Sequence, residues 1–91
     1  MLLGELIARL KDETVAGEAL VSLGNLAMVA RLVALAAERN VPVGQLVAQA
    51  VGQFVNGASD EEWLSLVGHM SGAADPGRVF LHRVLMNAAP T

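Results

Sequence analysis

Val43-Gly-Gln-Leu-Val-Ala-Gln-Ala-Val-Gly-Gln-Phe-Val55 is the stretch on which the fold turns. Val43, Leu46, Val47, Ala50, Val51, Phe54 and Val55 fall at i, i+3, i+4, i+7, i+8, i+11 and i+12. That spacing lines one face of a helix with apolar side chains. The other face is the unusual part: Gly44, Ala48 and Gly52 recur every four residues beside Gln45, Gln49 and Gln53, with no charge between Val43 and Val55. An interior glycine costs ~1 kcal/mol relative to alanine, so a compensating interaction is expected. Close helix-helix contact supplies one, because small residues let two backbones approach and the glutamines can hydrogen-bond across the seam. Gly44, Gln45, Ala48, Gln49, Gly52 and Gln53 are therefore the expected interface. The plainer reading is a weakly amphipathic helix with a small polar face and no partner.

Upstream, Asn25 is placed to cap a helix over Leu26 to Arg39, its amide oxygen accepting a free N–H of the first turn. Asn40 followed by Pro42 is the matching stop. Leu26, Met28, Val29, Leu32, Val33 and Leu35 are separated mostly by alanines, so this helix is apolar nearly all round and should be buried on several sides. Arg31 lies midway along it. Buried, its guanidinium would need acceptors or a carboxylate, that is, a buried ion pair; alternatively its stem lies on apolar surface with the head in water.

Further out, Leu2, Leu3, Leu6, Ile7 and Leu10 have the spacing of an amphipathic first helix. Asp12 to Gly24 is ambiguous, with Ala19 to Leu23 readable as a short strand or a helical turn. Downstream, Gly57-Ala58 breaks the chain before Ser59, which with Glu62 makes a capping box, and Asp60, Glu61 and Glu62 favour the start of a helix dipole. Trp63, Leu66, Val67 and Met70 form the expected buried stripe there, and Ser71-Gly72 ends it. Asp75-Pro76 opens a last helix with the apolar face Phe80, Leu81, Val84 and Leu85, and Asn87 to Thr91 should fray. The expected fold is a mainly α, compact bundle of five to six helices in a single domain over 1–91, with residues 19–23 left open between strand and helix.

Composition points to association. Hydrophobic residues make up 54% of a 91-residue chain, above the ~45–50% of ordinary globular chains, and mean hydropathy is +0.50. The longest apolar run, Leu26 to Ala37, is cut by Arg31 and is shorter than the ~18 residues of a spanning helix. Glu5, Arg9 and Lys11 interrupt the first leucines, unlike a secretory leader. A cytoplasmic protein whose surplus apolar surface is covered by a second copy is the expectation, with no membrane partner and room for a further protein partner. Cysteine is absent, which removes disulfides and thiol chemistry. The net charge is −3, and Arg9, Lys11, Arg31, Arg39, Arg78 and Arg83 are scattered along the chain. Nucleic acid is thus the less favoured partner.

Nothing in the sequence spells catalysis. His69 and His82 are the two histidines, on different expected helices and without a second ligand at i+3 or i+4. Ser22, Ser59, Ser65 and Ser71 lie in no nucleophile frame. The acidic run at Asp60 to Glu62 reads as a helix start, and the glycines form no phosphate-cradling loop. Trp63, Phe54 and Phe80 read as core filling. The expected catalytic, cofactor and metal sites are none.

Arg31-Leu32-x-x-Leu35-Ala36, then Asn40, then Leu46-Val47-x-x-Ala50-Val51-x-x-Phe54-Val55 resembles the two helices of ribbon-helix-helix proteins. The resemblance implies an interlocked dimer, and a preceding strand that pairs with its twin and reads the DNA major groove. In this chain that segment would present Glu18, Leu20 and Ser22, or Ala19, Val21 and Leu23, where the family offers basic or amide side chains. Two functions follow: a non-enzymatic helical interaction or regulatory module acting as a homodimer, or alternatively a ribbon-helix-helix-type DNA-binding transcriptional regulator or antitoxin.

Overall fold

Short polar side chains start four of the helices. Asp12 Oδ1 accepts from the backbone N–H of Thr14 at 2.9 Å and of Val15 at 3.3 Å. Asn25 Oδ1 accepts from Met28 N–H at 3.1 Å, Ser59 Oγ from Glu62 N–H at 3.2 Å, and Asp75 Oδ1 from Arg78 N–H at 3.2 Å. Each satisfies a donor that the first helical turn leaves without an intrahelical acceptor. In the computed structural model, which describes residues 3–88, the helices so defined are α1 (Leu3–Leu10), α2 (Glu13–Ser22), α3 (Leu26–Arg39), α4 (Val43–Gly57), α5 (Asp60–Ser71) and α6 (Pro76–Ala88). No strand occurs among the described residues.

The stop between α3 and α4 is equally specific. Asn40 takes the left-handed conformation at φ 60° and donates its N–H to Ala37 O at 3.2 Å, while Val41 N–H reaches back to Ala36 O at 3.0 Å. This is the two-bond Schellman arrangement, and asparagine tolerates the left-handed backbone better than other side-chain-bearing residues.

α4 is the centre of the bundle. It packs against α1, α2, α3 and α6, while α5 is attached mainly through α6. Val47 and Val51 are fully buried, and Leu46, Ala50 and Phe54 nearly so. Around them close Leu20 and Ala16 from α2, Leu66 from α5, and Phe80, Leu81, Val84 and Leu85 from α6. Phe54 meets Trp63 edge-on, with ring centroids 5.4 Å apart, and Phe80 edge-on at 6.1 Å. These are the geometries ring quadrupoles favour, and they tie α4 to α5 and α6.

One open reading is resolved and three expectations are corrected. Residues 19–22 belong to α2 rather than to a strand: Asp12 caps the helix, and Ala16 and Leu20, four apart, face the core as a helix requires. The strand through which the ribbon-helix-helix resemblance would read DNA is thus not formed. α3 buries one side only, through Met28, Leu32 and Ala36. Val67 is 47% exposed, outside the buried stripe of Leu66 and Met70. Asn87 does not fray but lies in α6, donating from Nδ2 to Glu62 Oε1 at 3.3 Å. Ala88 is likewise in α6; the other positions expected to fray, Ala89 to Thr91, and the expected first-helix residue Leu2 lie outside the described residues.

Candidate docking face

The small-residue face of α4 divides in two. Gly44 is buried, and a Cβ built on it would fall on the Glu13 carbonyl oxygen at the start of α2, with the carbonyl carbon 2.9 Å away. Across from it, a Cβ on Gly17 would stand 3.6 Å from the Gly44 Cα. The close backbone approach expected at Gly44 is therefore made to α2 of the same chain. Gln45 and Ala48 are half-buried beside it. Gln49 and Gln53 are exposed, and a Cβ on Gly52 would meet nothing within 4 Å. The six residues thus do not form one external face.

Among the described residues, the outer side of α3 presents a regular small-residue surface to solvent. Ala27, Ala30, Ala34 and Ala37 are all exposed, and their 3-4-3 spacing is that of the a and d positions of a heptad. Leu26, 82% exposed, and Val33, 48% exposed, flank this seam on one side. Arg31 and Glu38, both exposed, flank it on the other. Arg31 is exposed on the flank of α3, about a quarter-turn from the buried Leu32, so the buried setting expected for its ion pair is not found, and no polar or charged residue is buried among the described residues. The sequence held the signal for this seam, four alanines in heptad register, but uniform apolarity hid which side of α3 faces the core.

A second feature adjoins the start of α3. Leu26, Asn25, Arg78, His82, Arg83 and His69 line one shallow groove where α5, α6 and the α2–α3 turn meet. Arg83 Nη2 lies 3.0 Å from His69 Nδ1, a contact in which the guanidinium can only donate. The guanidinium of Arg78 donates to the Leu23 carbonyl oxygen, closing the C-terminal end of α2. Sequence spacing carries no sign of that bond, since its partners are 55 residues apart. The groove brings together the two histidines and two of the six bases that look scattered in one dimension.

Among the described residues no three His, Cys, Asp or Glu side chains gather as a metal site would require, and no helix is long and apolar enough to cross a membrane. Comparison with known proteins adds no relative: no protein-family model matches the chain, and neither a curated protein nor a solved structure matches it.

Proposed function

We propose that this chain is a non-enzymatic, cytoplasmic interaction module that acts as a homodimer, its two copies joined through antiparallel α3 helices. The carrying observation is the exposed seam Ala27-Ala30-Ala34-Ala37, uncharged along its length and edged by Leu26 and Val33. Alanines at a and d let helices approach to the lower end of the usual ~8–10 Å interaxial range. An antiparallel pair sets a against d, so Ala27 meets Ala37 of the second copy and Ala30 meets Ala34. In that orientation the flanking e positions share one edge, where the long side chain of Arg31 can reach Glu38 of the other copy about five residues along the axis, while the two Arg31 stand about two residues apart at the two-fold axis. A parallel pair would instead set Arg31 against the apolar g positions, Leu26 and Val33. The self-complementary small-residue seam thus favours the second copy as occupant; the Arg31–Glu38 reach favours the antiparallel orientation by at most ~1 kcal/mol per exposed pair and is opposed by the two Arg31 at the axis. Association rests mainly on the aliphatic side chains, since fully burying a Val or Leu contributes ~1.5–3 kcal/mol. Homodimerisation leaves the remaining faces open to a protein partner.

Sedimentation velocity over a concentration series tests this. The wild type should dimerise, and Ala34→Glu should be monomeric with unchanged helicity. Glu38→Arg should weaken the dimer, and adding Arg31→Glu should restore it, because the opposed charges are then exchanged. A wild type that stays monomeric up to millimolar concentration removes the proposal. Dimers unaffected by Ala34→Glu would place the contact elsewhere.

A further inference from the structure

Beyond self-association, the meeting of α1, α2 and α6 has the character of a ligand site. α1 touches α6 where Leu6 lies over Gly77: a Cβ on that glycine would stand 3.3 Å from Leu6 Cδ1. Both residues border a cavity of about 360 Å³, within the range of ~300–1,000 Å³ that small-molecule sites occupy. Its floor is the bundle core itself, Leu10, Leu23, Met70 and Leu81, all at most 9% exposed. Leu6 and Ala19 continue the apolar lining towards the mouth.

The mouth is different in kind. Arg9 from α1 and Arg78 from α6 border it, with Ser22 and Asp75. Asp75 is the one acid in this lining, and its carboxylate is already engaged, accepting the Arg78 N–H at the start of α6, where a helix dipole offsets negative charge. Arg78 gives one N–H to the Leu23 carbonyl and keeps further donors, since a guanidinium carries five. An apolar interior below two guanidinium groups is matched by a molecule with a hydrocarbon tail and an anionic head.

We infer that this cavity binds a single-chain amphiphile of medium length with an anionic head, its tail between α1, α2 and α6 and its head between Arg9 and Arg78. The site does not involve the α3 seam and stands or falls apart from the dimer. Each buried methylene strengthens binding severalfold, against the cost of immobilising the ligand.

Isothermal titration calorimetry on the full chain, with decanoate, decanol and decylammonium below their micelle-forming concentrations, tests the inference. Decanoate should bind at one site per chain with a Kd of about 0.1–1 mM. Decanol should bind about fivefold more weakly, and decylammonium more weakly still. Ala19→Phe, which fills the cavity, should abolish binding. Arg9→Gln, at an exposed position, should weaken decanoate about fivefold and leave decanol unchanged, and it decides the matter even if the phenylalanine variant does not fold. No decanoate binding, equal binding of all three heads, or undiminished binding by a folded Ala19→Phe protein would each overturn the inference.

Discussion

α3 and α4 are neighbours in sequence and in space, both apolar and both set with small residues at regular intervals, yet they hold opposite positions in the molecule. α4 is surrounded, and its Gly44 meets the first turn of α2 so closely that no side chain fits. α3 leans on α4 by one side, and four of its five alanines, all but Ala36, face outward. Regular small residues therefore report that a backbone can be approached; what approaches is decided by the rest of the chain. Where a glycine must be glycine, the partner is already present. Where alanine suffices and the surface is open, a partner can still be accommodated.

The sharpest way to break this contrast is Gly44→Ala. The added methyl would force the α2 backbone away from α4, at a cost on the order of 3–5 kcal/mol, measured by urea denaturation at low protein concentration so that association does not contribute. A loss below 1 kcal/mol would show that the approach to Glu13 relaxes freely. Next in size, Leu32→Ala on the inner side of α3 should cost about 2–3 kcal/mol through the cavity it leaves, whereas Ala34→Glu on the outer side should leave monomer stability nearly unchanged. Similar losses from both would mean that α3 is not one-sided. The smallest effect is a gain: Gly52→Ala, eight residues along α4 from Gly44 with open space at its Cβ, should stabilise by about 0.5–1 kcal/mol. A loss there, with Gly44→Ala mild, would invert the assignment of the two glycines.

Much of the helical framework was legible because its signals are local. Asn25, Asn40, Ser59 and Asp75 mark helix ends by bonds that span at most a few residues, and the stripe from Val43 to Val55 has a single helical reading. α2 was harder: its exposed and buried apolar residues are mixed, so Ala19 to Leu23 satisfies helix and strand patterns alike, and packing against α4 through Ala16, Gly17 and Leu20 decides between them. The candidate sites were the least legible. Periodicity finds the small face of α4 but cannot tell a partner inside the chain from one outside it. The cavity under Arg9 and Arg78, and the groove that gathers His69, His82 and Arg83, join residues from opposite ends of the sequence, and nothing in either neighbourhood announces the other.

The bond from Arg78 to the Leu23 carbonyl bears on how this protein is made. α6 seals the end of α2 and also supplies Phe80, Leu81, Val84 and Leu85 to the core, so the preceding helices have no finished interior to close upon until α6 has left the ribosome. Domains generally fold as units, N-terminal parts emerging first. For this one, a nascent chain halted before Pro76 should stay loosely collapsed and readily cleaved by protease, and acquisition of resistance should coincide with emergence of α6.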